Sequence, residues 1–325
     1  MMPFLSIIIP CYNVERYLPR TLKSLSQLNN AEECEFIFIN DGSSDSTLSI
    51  LQDFALNHTQ SKIIDQHNQG VSAARNAALE IAIGKYLLCL DGDDFIDANT
   101  VNILKDNIHH TDALLSPCII VNEDDSSFCQ KITIPGGIYS IDQLYQSFDI
   151  FPTAPQIVYR TSIIQEHHLR FDSKIKAGEV YTFSVDFFEY AKEIAVCNNS
   201  FYNYVMRPSS ATHKPNYNAD LSVLHILEHF ERITQQWKNR PSFQITALKI
   251  ILSFTYNKYI KNKLSDAQTT QTVKTILKNP KFQQLLSSIQ VGNLDLKNRL
   301  FLYYLKTLPL TFGFRLCVFI AKIVK

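Results

Sequence analysis

Three carboxylates crowd together in Asp91-Gly92-Asp93-Asp94, directly after the apolar run Tyr86-Leu87-Leu88-Cys89-Leu90. An apolar run of that length without a helical period reads as a strand buried on both faces. The chain must therefore cover both sides of that strand. It must also leave the strand's end open to something positive, because neighbouring carboxylates repel strongly. Hard oxygen ligands at a strand end suit Mg²⁺ or Mn²⁺, which in turn hold substrate phosphates. The plainer alternative is an acidic turn with a helix cap; Asp94 in particular reads as the cap of the next helix, with orienting the metal-binding carboxylates as its alternative.

The surrounding residues extend this into a fold. Phe4–Pro10, Glu35–Asn40 and Lys62–Asp65 read as strands, and Glu15–Leu28 as an amphipathic helix with Tyr17, Leu18, Leu22 and Leu25 on one side. Ser43 or Ser44 is placed to cap a second helix that turns Leu48, Leu51, Phe54 and Ala55 inward. Val71–Ile83 is an Ala-rich helix ended by Gly84. This alternation predicts a mixed, mainly parallel α/β sheet flanked by helices, with ligands at the C-terminal strand ends. Cys11-Tyr12-Asn13, Asp41-Gly42-Ser43-Ser44-Asp45 and Asp91–Asp94 all fall at such ends, so they are expected to share one edge. Further strands are expected near Ala113–Val121, Lys131–Ile134 and Ala195–Met206, and helices near Ile141–Ser147 and Glu179–Tyr190. From about 217 the pattern is helical and rich in Lys, Gln and Asn. We therefore divide the chain into a domain over 1–215 and a helical C-terminal region over 216–325.

At 325 residues, 46% hydrophobic and 19% charged, the chain is globular and long enough for both parts. Lys+Arg and Asp+Glu balance at 31 each, so charge makes no case for nucleic acid. Seven scattered cysteines without a CxxC pair predict a reduced, cytoplasmic protein. No basic segment or cleavage site precedes Phe4, so no signal peptide is expected. Lys297–Lys325 is basic and holds no Asp or Glu. Lys306, Pro309 and Arg315 interrupt its apolar runs, so it is expected to lie on the anionic inner face of the cell membrane rather than to span it. Docking on its own domain is the alternative.

Taken in order, Pro10-Cys11-Tyr12-Asn13, Asn40-Asp41-Gly42-Ser43-Ser44-Asp45, Asn68-Gln69-Gly70-Val71-Ser72-Ala73-Ala74-Arg75-Asn76 and Asp91-Gly92-Asp93-Asp94 resemble the family 2 glycosyltransferases. The resemblance is strong over residues 4–97 and weaker to about 213. It implies the GT-A (Rossmann-like) fold and an inverting transfer of a sugar from a nucleoside-diphosphate donor, with uracil as the base. The acceptor would be a hydroxyl of a growing bacterial surface glycan, lipid-linked or free: capsule, O-antigen or lipooligosaccharide.

The same resemblance assigns roles. Asp41 would read the base; beside its Gly-Ser-Ser turn it also suits an Asx-turn. Pro10 stiffens the strand end that presents Tyr12 and Asn13 to the nucleoside. Asn68 lines the next loop, where Gly70 is a contact or a backbone requirement. Arg75 would meet the donor's charge, or simply pin its own helix. Asp91 and Asp93 form the D-x-D element, with the metal between Asp93 and the diphosphate. Arg207, in Tyr204-Val205-Met206-Arg207-Pro208, would face phosphate, and His213 would reach metal or phosphate unless it is a solvated loop histidine. Pro155 stands near the place of an aromatic residue over the acceptor.

An inverting displacement needs a base at the acceptor hydroxyl. The segment Lys176-Ala177-Gly178-Glu179-Val180 resembles the family's Gly-Glu-Asp element, but Val180 stands where the base is expected. Glu179 is the substitute we assign. Asp172 or Asp186 could also serve, or the protein is an impaired nucleotide-sugar-binding module. A nucleotidyltransferase lacks support, because no Gly-rich basic loop follows the first strand.

Overall fold

The computed structural model describes residues 2–123, 128–132, 135–147, 157–176, 178–207 and 278–288, with isolated positions at 225–226, 228–229, 275 and 303. In chain order the elements are β1 (Leu5–Cys11), α1 (Leu18–Ser26), β2 (Cys34–Asp41), α2 (Thr47–Asn57), β3 (Ser61–Gln66), α3 (Val71–Ile81), β4 (Tyr86–Cys89) and β5 (Phe95–Ile96). They continue with α4 (Thr100–Ile108), β6 (Ala113–Leu115), β7 (Cys118–Asn122), β8 (Phe128–Ile132), β9 (Gly137–Ser140), α5 (Ile141–Ser147) and β10 (Ile157–Arg160). Last come α6 (Thr161–Glu166), α7 (Glu179–Phe188), β11 (Glu193–Val196), β12 (Tyr202–Met206) and α8 (Pro280–Ser288).

Eight strands form the main sheet in the order β3-β2-β1-β4-β10-β6-β11-β9. The strands β1 to β4 are parallel, while β10 and β9 run against their neighbours. Every residue of β2 and β4 is buried, as continuous apolar runs inside a doubly covered sheet require. A second sheet of four strands has the order β5-β12-β7-β8. The acidic tetrad is thus one link between the sheets: β4 precedes it in one and β5 follows it in the other.

The chain divides into two compact units. One comprises Met1–Leu144, Pro152–Ser173 and Glu179–Ser210 and holds both sheets. The other comprises Tyr145–Phe151, Lys174–Gly178 and Ala211–Lys325. Its best-described element is α8, which buries Phe282 and Leu286, one helical turn apart. Of the basic tail only Tyr303 is described. Among the described residues no helix is long and apolar enough to cross a membrane.

Several local expectations are corrected. The helix read over Glu15–Leu28 begins at Leu18, with Pro19 in its first turn. The residues before it are tied across the loop instead: Val14 N–H donates to Thr47 Oγ1 at 2.9 Å and Glu15 N–H to Asp45 Oδ2 at 3.1 Å. Neither Ser43 nor Ser44 caps α2: its N-cap position is Ser46, which makes no side-chain cap bond, and Asp45 Oδ1 just before it accepts from Thr47 N at 3.0 Å. Gly84 is not a left-handed helix cap. Its backbone lies so close to β1 that a Cβ would fall 2.6 Å from the Ser6 nitrogen. Asp94 caps no helix, since α4 starts after Asn99. The strands expected over Ala113–Val121 and Ala195–Met206 each break in two. Pro117 has no N–H to continue a ladder, and residues 197–201 turn the second chain segment. The pieces re-pair in parallel, β6 with β11 and β7 with β12, in different sheets. The short strands β5, β9 and β10 and helix α6 went unread, because two to six residues carry little periodicity. Cys11, Cys34, Cys89, Cys118 and Cys197 are buried and form no disulfide among the described residues.

Glu35 is a structural residue with no counterpart in the sequence reading. It is buried at the start of β2. Its carboxylate accepts from Ser6 Oγ on β1 (2.5 Å), Lys62 Nζ on β3 (2.7 Å), and the backbone N–H groups of Ile83 (2.7 Å) and Gly84 (3.1 Å) ahead of β4. One side chain therefore ties the N-terminal ends of all four parallel strands. Burial pushes its pKa up, but the bonds from Lys62, Ser6 and Ile83 outweigh this and hold it below the usual 4.5. A carboxylate with a lowered folded-state pKa contributes stability that is present above 4.5 and lost as pH falls through the folded value. Glu35→Ala is expected to lower the unfolding free energy by about 2 kcal/mol at neutral pH, because the Ser6 hydroxyl and the Ile83 N–H lose their acceptor, while Gly84 N–H keeps its 2.8 Å bond to Ser6 Oγ. Lys62 is partly exposed and adds little. Urea unfolding at pH 7 and at pH 4 checks this; a variant within about 1 kcal/mol of the parent at pH 7 would remove the clamp from the account.

Candidate active site

The parallel register brings the predicted clusters to one edge. Asp41 ends β2, the acidic tetrad follows β4, and β1 between them delivers Tyr12 and Asn13. Pro10 fits its interior strand because the pairing of β1 with β4 ends at Ile8 opposite Cys89, so no ladder bond to that neighbour is forfeited.

Asp41 is buried and well occupied. Its Oδ1 accepts from Gln66 Nε2 at 2.7 Å and Gln69 N at 2.9 Å, and its Oδ2 from Gly70 N at 2.8 Å. A carboxylate has about four acceptor positions, so one direction on Oδ2 remains for a ligand. Asp41 is thus first a clamp on the loop that leads into α3. Gly70 is a backbone requirement there: its φ of +91° is left-handed and its N–H faces Asp41. The Asx-type closure after β2 belongs to Asn40, whose Oδ1 accepts from Ser43 N at 3.3 Å. Asn13 also ties loops. Its N–H donates to Ser43 Oγ at 3.1 Å, and its Oδ1 accepts from Ser44 N at 2.8 Å. Tyr12 and Asn68 are exposed on this edge. The Asn68 backbone packs against Gly42, where a Cβ would fall 2.7 Å from its nitrogen.

Arg75 sits at the centre. Its side chain is 3% exposed, and its guanidinium joins Asp91 Oδ1 (Nη2, 2.8 Å) to Glu179 Oε1 (Nη1, 2.8 Å). It also lies over the Phe171 ring at 5.4 Å. Burial alone would lower its pKa; Asp91 and Glu179 outweigh that, so the charge is locked on. Of the two alternatives for Arg75, the structure shows the ion pair that pins α3, with Asp91 and Glu179 as its partners. Glu179 opens α7 with 15% of its side chain exposed, and Val180 stands beside it. Asp186 lies about two turns further along the same helix.

The tetrad divides by burial. Asp94 is 1% exposed, accepting from Tyr202 Oη at 2.6 Å and Val205 N at 2.8 Å. Burial, then the neighbouring Asp91, raise its pKa well above the usual carboxylate range. Tyr202 Oη in turn accepts from Asp91 N at 3.2 Å. Asp94 and Tyr202 together fix the loop, whereas Asp91 and Asp93 keep open surface. Asp93 meets the guanidinium of Arg207, which also lies over the Tyr17 ring at 4.3 Å. Carboxylate oxygens of Asp91, Asp93 and Asp94 lie within 4.8 Å of one another. Hard oxygens at that spacing, two of them on partly open side chains that each already draw a guanidinium, fit a divalent ion such as Mg²⁺ or Mn²⁺. His213 and Pro155 lie outside the described residues.

Sequence reasoning missed Tyr202, Tyr17 and Gln66. Tyr202 acts across 108 positions on Asp94. Nothing in the local pattern Tyr-Asn-Tyr-Val-Met distinguishes it from an ordinary strand tyrosine.

With this geometry in place, comparisons with known proteins carry weight. Uncharacterized glycosyltransferase EpsJ of Bacillus subtilis is 26% identical over 66% of this chain and 64% of its own. Poly(ribitol-phosphate) beta-N-acetylglucosaminyltransferase TarS of Staphylococcus aureus is 31% identical over 64% of this chain and 36% of its own. The chain therefore spans less than two thirds of these relatives. The crystal structure of TarS 1-349 with UDP-GlcNAc superimposes with a TM-score of 0.72 at 21% identity, covering 96% of this chain and 90% of that one. The mannosyltransferase PcManGT of Pyrobaculum calidifontis, in complex with GDP-Man and Mn²⁺, gives 0.58 at 13% identity, covering 98% and 86%. These likenesses establish the GT-A fold. Residues 6–168, half of the chain, match Glycosyl transferase family 2 and take in β1 to β4, Asp41, Arg75 and the acidic tetrad. On that match the chain belongs to glycosyl transferase family 2.

Proposed function

We propose that this protein transfers a sugar from a UDP-sugar to a hydroxyl of a growing surface glycan, with inversion at the anomeric carbon. The observation that carries the reading is the Arg75 bridge. It couples the acidic loop that would face the diphosphate to Glu179, the carboxylate we assign to the acceptor side. The relatives support the substrate class, since TarS is named for N-acetylglucosamine transfer to poly(ribitol-phosphate) and was crystallised with UDP-GlcNAc.

The acceptor oxygen attacks the anomeric carbon while the bond to the diphosphate breaks and its electron pair leaves with UDP. A divalent cation held by Asp93 with Asp91 would act as a Lewis acid on that leaving group. Asp41 and the Tyr12–Asn13 loop hold the nucleoside, with Asn68 beside them. Arg207 offers a fork-shaped donor to phosphate, and His213 adds a second polar group. Glu179 takes the acceptor's proton on Oε2, because Arg75 occupies Oε1. The basic segment 297–325 would hold the protein peripherally at the cytoplasmic face of the membrane, close to a lipid-linked acceptor.

A second reading has its own support. Arg75 grips Glu179, Val180 cannot accept a proton, and together they favour a nucleotide-sugar-binding module without turnover. UDP release from a panel of UDP-sugars, with and without Mn²⁺, separates the two. Glu179→Gln is expected to reduce release about a hundredfold with donor binding kept, as loss of a general base does. If the parent chain binds UDP but releases none, and Val180→Asp gains release, the non-catalytic reading stands instead.

A further inference from the structure

Strand β12 and the residue just past it contact each aspartate of the acidic loop, although the Asp91 carboxylate itself is held by Arg75. Tyr202 holds Asp94 and the Asp91 backbone, Val205 N–H holds Asp94, and Arg207, just past the strand, meets Asp93. The first three contacts fix the loop. The fourth differs in kind, because Asp93 is the carboxylate that the proposed function gives to the divalent cation. The Arg207 side chain is 16% exposed, its Nε has no hydrogen-bond partner among the described residues, and its guanidinium stacks on Tyr17 at 4.3 Å. A guanidinium and a dication cannot both take the same carboxylate oxygen at contact distance, since their charges repel.

We propose that Arg207 is a tethered counter-ion that competes with the divalent cation for Asp93 and turns to the donor's diphosphate when nucleotide binds, so that cation and nucleotide load cooperatively. The inference rests on the metal reading above. Without cation, Arg207 relieves repulsion among three adjoining carboxylates, and Tyr17 keeps it within reach by a cation–π contact. The apparent affinity for a cation alone is then reduced by the fraction of time Asp93 is occupied. A diphosphate gives the guanidinium a bidentate alternative and lifts that penalty. By linkage the effect is reciprocal: nucleotide tightens cation binding as much as cation tightens nucleotide binding.

The test measures Mn²⁺ binding to the whole chain by titration calorimetry, with and without UDP, for the parent and for Arg207→Gln, Arg207→Lys and Tyr17→Leu. With Mn²⁺ alone, Arg207→Gln is expected to bind about tenfold more tightly than the parent. Arg207→Lys falls between them, and Tyr17→Leu shifts the same way by less. UDP should tighten Mn²⁺ binding in the parent by a clearly larger factor than in Arg207→Gln. Unchanged or weaker Mn²⁺ binding in both Arg207→Gln and Tyr17→Leu overturns the competition while leaving the metal reading intact. No Mn²⁺ binding by the parent even with UDP overturns both.

Discussion

Arg75→Met is expected to cut UDP release by about a thousandfold or more, in line with the loss of preorganised charge at a reacting site, and to destabilise the fold. The side chain is 3% exposed and carries the charge that faces both Asp91 and Glu179. Methionine fills much of the volume but leaves two carboxylates facing each other without a cation. Breaking a buried pair by removing one partner typically destabilises by about 3–5 kcal/mol. The low end applies here, because Asp91 is about a third open to solvent, with 35% of its side chain exposed. Arg75→Lys should recover part of the stability and little of the turnover, since a single ammonium cannot fork between two carboxylates. Urea unfolding with UDP release on the same samples measures both effects. A folded Arg75→Met protein within tenfold of the parent would sink the central role assigned to this residue.

Asp93→Asn separates chemistry from folding. Asp93 is 16% exposed, on the open side of the tetrad, and its one described side-chain partner is Arg207. The fixed part of the loop depends on Asp94 and Tyr202, which this change leaves alone. Stability is therefore expected to stay within about 1 kcal/mol of the parent. UDP release should fall about a thousandfold, because the amide neither neutralises a cation nor helps to stabilise the departing diphosphate. Release that survives in Asp93→Asn and no longer depends on added Mn²⁺ would remove the metal from the account of this site. A large loss of stability would instead make Asp93 a structural residue like Asp94.

The two variants probe different layers of what was legible. Asp91 and Asp93 stood out because strand burial and carboxylate clustering are both local patterns, written within a dozen residues. The parallel sheet followed from the same kind of pattern, and with it the meeting of Tyr12, Asn13, Asp41 and the tetrad on one edge. Errors collected where a partner lies far along the chain. Asp94 looks like a helix cap until Tyr202 and Val205 arrive from more than a hundred residues away. Ser43 and Ser44 look like caps until Asn13 engages both. Glu35 looks like an ordinary strand end, and Gly84 like a helix stop, until β1 packs against them.

Periodicity and residue chemistry, which depend only on neighbours in sequence, were enough to define the sheet, its functional edge and the hard-oxygen cluster. They could not decide how the charges on that edge pair. Coulombic energy and hydrogen bonding depend on distance in space and on burial. Those are set only once β12 and α7 have packed beside β4's end. Arg75 between Asp91 and Glu179, and Arg207 on Asp93, are therefore products of the tertiary structure.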